Sequence, residues 1–187
     1  MMSDLTPIAA LACDVFGAVA CSVALVEGEE LHYVAAAGAT AAAVTGLRLE
    51  LGRGIAGYVA VAGEALEVDG VMSDPRFARD VAEDIGYLPR AILAAPLVTP
   101  EGEVVGVLSV LDRAPERVGS SEAVRLACRV ADVAAIVASR APVSDAGAFP
   151  ALAERIDGSG RPAGERRLLH GLAALLADQL AQPDARP

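Results

Sequence analysis

The segment that most restricts how this chain can fold is its longest helical pattern, which Ser120 or Ser121 is expected to cap and which runs to about Arg140. On a wheel of 100° per residue, Glu122, Arg125, Arg129, Asp132 and Arg140 form one polar stripe. Leu126, Val130, Val133 and Val137 form a bulky apolar stripe beside it. A third stripe is almost entirely small: Ala127, Cys128, Ala131, Ala134, Ala135 and Ala138. More than half of the circumference is apolar, so the helix needs two burial partners, a sheet on one side and a second helix on the other. A partner subunit is one source of that second helix.

The strands it can cover lie upstream. Residues 19–26 and 31–37 are β-branched or small and meet at Glu27-Gly28, which predicts a hairpin. Residues 92–98 and 104–111 form a second hairpin through Thr99-Pro100-Glu101-Gly102, where Pro presets the second turn position and Gly supplies the left-handed exit. Leu47-Arg48-Leu49-Glu50-Leu51 alternates apolar and charged residues, as a half-exposed strand does, and residues 65–68 add a short strand. Thr6-Pro7 predicts a helix start with a hydroxyl cap, followed by the buried stripe Ile8, Leu11, Ala12, Val15 and Phe16. Ser73-Asp74-Pro75 predicts another, with Asp74 at the cap and an end near Gly86. Between them, Gly52-Arg53-Gly54-Ile55-Ala56-Gly57 leads into a short helix over 58–62, while residues 35–45 are too uniform to assign. The fold class is α+β: an antiparallel sheet of about six strands with helices on both faces.

Composition then removes function classes. The 187 residues carry a net charge of -10, and all 15 basic residues are Arg; the chain has no Lys and no Asn. Such a balance repels polyanions, so nucleic acid and anionic membrane surfaces are excluded as expected partners. Residues 1–15 lack a basic residue and carry Asp4 and Asp14, unlike a secretory signal, and the apolar residues never run unbroken for a membrane span; the expected location is cytoplasmic. Cys13, Cys21 and Cys128 lack the paired spacing of a disulfide framework or metal site and read as reduced thiols. After Arg140 the texture changes. Residues 141–164 are rich in Pro, Gly, Ser and Ala and read as a linker, with a short helix at 149–156. Residues 165–187 hold an amphipathic helix, with Leu169, Leu172, Leu176 and Leu180 on one face, and the end of the chain. Up to Arg140 there are 19 acids and 10 bases, so the acidity belongs to the globular part.

Residues 1–140 resemble a GAF domain, a small-molecule-sensing module of phosphodiesterases, histidine kinases and bacterial transcription regulators. The resemblance is carried by Gly52-Arg53-Gly54-Ile55-Ala56-Gly57-Tyr58-Val59-Ala60, Gly63-Glu64, Asp74-Pro75-Arg76-Phe77, Gly86-Tyr87, Ile92-Leu93-Ala94-Ala95-Pro96-Leu97 and Gly106-Val107-Leu108-Ser109-Val110, in that order. It implies a GAF-like sheet, a ligand held between the sheet and the loop–helix segments on one side, and homodimerisation through terminal helices. The pocket wall would come from residues 52–61, residues 74–90 and the strands starting at Ala91 and Val104. Its ligand contacts would be Arg53, Tyr58, Phe77, Tyr87, Arg90 and Ser109.

The nature of the ligand has to come from the residues. The family's cyclic-nucleotide motif includes an Asn and a Lys, and this chain has neither. Bilin attachment uses a Cys commonly followed by His, whereas the three cysteines here precede Asp, Ser and Arg. Haem needs an axial ligand, and His32, the only histidine before residue 141, reads as a half-exposed strand residue. The glycine segment reads as a packing turn, with anion binding at Gly54–Ala56 beside Arg53 as the alternative. Arg76, Arg79 and Arg90, flanking Asp80, Glu83 and Asp84, read as a solvated salt-bridged face. No catalytic or metal-binding set stands out. The expected function is a stand-alone sensory or regulatory protein that binds an unidentified small molecule or signals by protein contact, with residues 165–180 docking on the domain or on a partner. Two alternatives remain: a thiol enzyme like the free methionine sulfoxide reductases of this family, and a ligand-free dimeric scaffold.

Overall fold

A computed structural model describes residues 5–139. The linker and amphipathic helix expected after Arg140 lie outside the described residues. Within them the order is α1 (Thr6–Phe16), β1 (Ala20–Glu27), β2 (Glu30–Gly38), α2 (Ala41–Val44), β3 (Arg48–Glu50), α3 (Gly54–Ala62), β4 (Leu66–Asp69), α4 (Arg79–Ile85), β5 (Ala91–Val98), β6 (Val104–Leu111) and α5 (Ser120–Ala138). The six strands form one antiparallel sheet in the order β3-β2-β1-β6-β5-β4. Among the described residues no helix is long and apolar enough to cross a membrane.

The two hairpins come from local turn chemistry, and they join along β1 and β6. Cys21 lies opposite Val110, Ser22 opposite Ser109 and Leu25 opposite Gly106. At Gly106 the two backbones approach so closely that a Cβ there would sit 2.3 Å from the Ala24 carbonyl oxygen. Only glycine fits that position.

The sheet is covered on both faces. Helices α1 and α5 touch each other and pack on one face, α5 mainly over β5 and β6 and α1 over β1 and β2. Helices α2 and α3 contact the sheet from the other face, where Ile55, Ala56 and Val59 of α3 join Ala24, Leu31, Leu49, Ala94 and Val107 in a buried cluster. Of the small stripe of α5, Ala127, Ala131, Ala134 and Ala135 are buried while Cys128 and Ala138 are half-buried, and the second helix that α5 meets is α1 of the same chain.

Several expected helix starts are corrected. Helix α1 does begin at Thr6, but Leu5 is its N-cap and no side chain caps it. Helix α5 begins at Ser120 behind Gly119, again without a side-chain cap. Asp74 does not cap a helix. Its carboxylate accepts from the Arg76 backbone N–H at 2.9 Å and from the Arg76 guanidinium at 2.6 Å, closing a local turn, and α4 starts only at Arg79. Helix α3 begins four residues earlier than predicted, at Gly54. Within residues 35–45, β2 runs on to Gly38 and α2 makes a single helical turn.

Behind the sheet edge, Arg113 is almost fully buried and pairs with Glu67 at 2.5 Å. It also donates to the Val118 carbonyl at 2.7 Å and to Ser120 Oγ at 2.9 Å, tying β4 to the start of α5. All its partners lie within hydrogen-bond reach, as a buried charge requires.

The β1–β6 contact yields a direct test. Gly106→Ala must push the Ala24 carbonyl away in the middle of the sheet and should lower unfolding stability by about 3 kcal/mol, read from urea unfolding. A loss below about 1 kcal/mol would show that the strands separate easily here.

Candidate ligand pocket

A cavity of about 100 Å³ lies between the sheet and the segments that follow β2, β3 and β4. Its floor is made by Ser22 of β1, Tyr33 of β2, Leu49 of β3, Ile92 of β5, and Ser109 and Leu111 of β6. Strand alternation puts these side chains on the face opposite α1 and α5. The roof comes from Thr40 and Val44 at α2, from Gly54, Ile55 and Ala56 at the start of α3, from Phe77, and from Val81, Ala82 and Ile85 of α4. Tyr87 and Pro89 close one end.

The walls are apolar, and no Arg, Asp, Glu or His lines them. Four hydroxyls interrupt the apolar surface. Ser22, Thr40 and Ser109 are only 7%, 5% and 6% exposed, and among the described residues neither they nor Tyr33 make a side-chain hydrogen bond with the protein. Burial pushes the Tyr33 phenol up to about 12.

The roof is fastened by three polar contacts. Asp112, the residue after β6, has φ +49°, a left-handed conformation that costs a non-glycine residue on the order of 1–2 kcal/mol. Its carboxylate offsets this by accepting from the backbone N–H groups of Arg90 at 2.8 Å and Ala91 at 2.9 Å and from the Tyr87 hydroxyl at 2.5 Å. That staple holds residues 87–91 against the sheet and fixes the Tyr87 ring in the cavity wall. Burial, reinforced by the Asp112 carboxylate, pushes the Tyr87 phenol up to about 12. Arg53, just before α3, pairs with Asp80 of α4 and clasps the two roof helices together. Arg76 lies over the Tyr58 ring, 4.8 Å from its centroid, and holds the Asp74 carboxyl at about 2.

Of the expected contact residues, Phe77, Tyr87 and Ser109 line the cavity. Tyr58 does not: it is 41% exposed, on the outer side of α3 under Arg76. Arg53 is occupied by Asp80, and Arg90 is exposed with only its backbone engaged, by Asp112. Neither arginine lines the cavity. The glycine segment is a packing turn at its centre, since a Cβ on Gly57 would lie 3.0 Å from the Glu50 carbonyl oxygen and from the Gly52 nitrogen. Arg79 pairs with Glu83 on the exposed face of α4. The residues not expected were Ser22, Tyr33, Thr40 and Asp112. Ser22 carries the one readable signal, an isolated hydroxyl inside the apolar strand Ala20–Glu27.

None of the cysteines lines the cavity. The Cys13 thiol points to the Ala37 carbonyl at 3.6 Å, and Ala37 is the register partner of Cys21. A hydrogen bond between the two thiols lowers Cys13 and raises Cys21, which burial raises further. Cys128 is raised by burial on α5. His32 alternates with Tyr33 along β2 and pairs with Glu27 at 3.0 Å. Among the described residues no group of His, Cys, Asp and Glu could hold a metal ion.

Comparison with known proteins places this geometry. The sequence profile of the GAF domain matches residues 4–138. A probable 3',5'-cyclic phosphodiesterase, pde-5 of Caenorhabditis elegans, is 37% identical over 67 residues, which are 36% of this chain and 9% of that protein. The solved GAF domain of A. aeolicus nlh2 in an inactive state superposes with a TM-score of 0.57 at 20% identity, covering 68% of this chain and 77% of that one. A free methionine-R-sulfoxide reductase from Neisseria meningitidis, solved with its substrate, gives 0.55 at 23% identity over 72% of this chain and 77% of that one. At these identities the two solved structures share the fold with this chain.

Two measurements test the pocket's construction. Asp112→Ala leaves two backbone donors and a phenol without their acceptor and places alanine in a left-handed position, so stability should fall by on the order of 3 kcal/mol, with Asp112→Asn intermediate. Equal stability of all three proteins by urea unfolding would remove the staple from the account. With alkali, Tyr33 and Tyr87 keep their protons to about pH 12 in the folded chain, whereas unfolded tyrosines release theirs near 10. Stability should therefore be complete below pH 10 and decline as the pH rises from 10 to 12. A flat urea midpoint across that window would contradict it.

Proposed function

Since this chain belongs to the GAF domain family, we propose that it is a sensory or regulatory domain whose input is a small molecule taken into the cavity beneath α2, α3 and α4. The observation that supports this reading is the cavity itself, apolar in its walls and carrying buried hydroxyls with no protein partner. A core shaped for stability alone would be filled, and hydroxyls set in its walls would be paired within the protein. The roof is joined to the sheet by a few separable contacts, so occupancy can shift α4 and residues 87–91 relative to the sheet. The response then passes by protein contact, to a second copy of the chain or to a partner reached through residues 165–180.

Cyclic nucleotide is not carried over from the phosphodiesterase, since that likeness spans 9% of the relative and the cavity is lined by no charged side chain. Thiol reduction finds no support in the pocket either. A nucleophilic thiolate has to reach the bound substrate, and none of the three cysteines lines the cavity.

Ser109→Leu provides the test, because the added side chain projects into the cavity and occupies it. The variant should fold with a stability within about 1 kcal/mol of the parent. In a thermal-shift screen of small neutral and charged compounds, hits that raise the parent's Tm should leave Ser109→Leu unmoved. Hits that stabilise both proteins equally, or a screen without hits on the parent, would overturn the reading.

A further inference from the structure

The Ser22–Ser109 pair carries the site further than its volume does. The two serines are direct register partners on adjacent central strands, β1 and β6. Directly opposed residues on one face of an antiparallel pair have Cβ atoms about 5 Å apart. Both side chains line the same cavity, both are more than nine-tenths buried, and neither hydroxyl has a protein partner. One oxygen atom placed above the pair is within reach of both hydroxyls, each of which can donate or accept.

The remaining surface decides the rest of the molecule. Ile55, Ile85, Phe77 and Ile92 present hydrocarbon, and the arginines nearest the site are turned to other tasks: Arg53 to Asp80 and Arg76 to Asp74 and Tyr58. A buried carboxylate, phosphate or ammonium would find no counter-ion among the residues that line the cavity, and an uncompensated charge there is strongly disfavoured. An engineered cavity of about 150 Å³ takes up benzene, so the space here suits on the order of four to six non-hydrogen atoms.

Resting on the small-molecule reading above, we propose that the ligand is a small uncharged molecule, mostly hydrocarbon, with a single hydroxyl or carbonyl oxygen seated on the Ser22–Ser109 pair. The hydrocarbon part lies under α3 and α4 against Ile55, Phe77 and Ile85. Tyr33 and Thr40 supply further hydroxyls at the cavity wall.

Calorimetric titration of the full chain with cyclopentanol, cyclopentane, cyclopentylammonium and cyclopropanecarboxylate separates the alternatives. Cyclopentanol should bind about tenfold more tightly than cyclopentane, and the two ions should not bind where cyclopentanol saturates. Ser22→Ala with Ser109→Ala should erase the preference for the alcohol while cyclopentane binding persists. Each single substitution should reduce it in part, which keeps the test intact should the double variant fold poorly. Equal binding of alcohol and hydrocarbon by the parent, or tighter binding of either ion, would overturn the proposed ligand class and leave small-molecule sensing standing. Binding of none of the four would also overturn this class, and the Ser109→Leu screen would decide separately whether sensing survives.

Discussion

Everything in this domain hangs on the pairing of β1 with β6. The two hairpins are local structures and form from their own turns, but a lone hairpin is only marginally stable in water. Joining them brings together strands more than 80 residues apart in the chain and closes a large loop, at an entropic cost that grows slowly with its length. In return the sheet gains two central strands whose backbone groups are paired on both sides, β1 between β2 and β6, and β6 between β1 and β5. Gly106 permits that contact by having no side chain. The pairing also generates two unlike faces, one for α1 and α5 and one for the cavity.

The two faces solve different problems. On the α1–α5 face, small side chains let helices lie close to the sheet and to each other, and the packing is continuous. On the other face α3 packs Ile55, Ala56 and Val59 into the buried cluster, whereas α4 and residues 87–91 are held by a handful of polar contacts. Asp112 is the most telling of these. It adopts a left-handed backbone conformation, uncommon outside glycine and tolerated best by Asp and Asn, and it is stabilised there by three donors from the segment that closes the pocket. A strained residue held in place by the contacts it organises is a feature of sites rather than of cores. The alternation of rigid and lightly fastened faces is what a binding module needs, because a ligand can move only what is not already locked.

Much of this was legible in the chain. Strand alternation, turn residues and the wide apolar face of α5 were enough to derive a six-stranded α+β sheet with helices on both faces, and the segments named by the resemblance to the GAF family include several that line the cavity. The site residues were harder. Phe77, Tyr87 and Ser109 line the cavity, whereas Tyr58 follows them in chemistry and turns outward, because the helix that carries it begins at Gly54 and its inward face is taken by Ile55, Ala56 and Val59. Arg53 and Arg90 stand beside the site in sequence, yet charge seeks solvent or a partner, and Arg53 found Asp80. Ser22 and Tyr33 lie in strands whose pattern fixes the backbone alone, Thr40 in a stretch too uniform to assign, and Asp112 just past the end of a strand.

The sequence by itself determined the strands, the long helix and the absence of Lys and Asn, since alternation, periodicity and composition are properties of neighbouring residues and of the whole chain. Tertiary structure alone decided which hydroxyls face one another, that α5 finds both the sheet and a helix, α1, within its own chain, and that the pocket is lined without charge. Those outcomes depend on register between distant strands and on which side of a short helix meets the sheet. A shift of one residue in the β1–β6 register would turn Ser22 away from Ser109 and leave every local pattern in the chain unchanged.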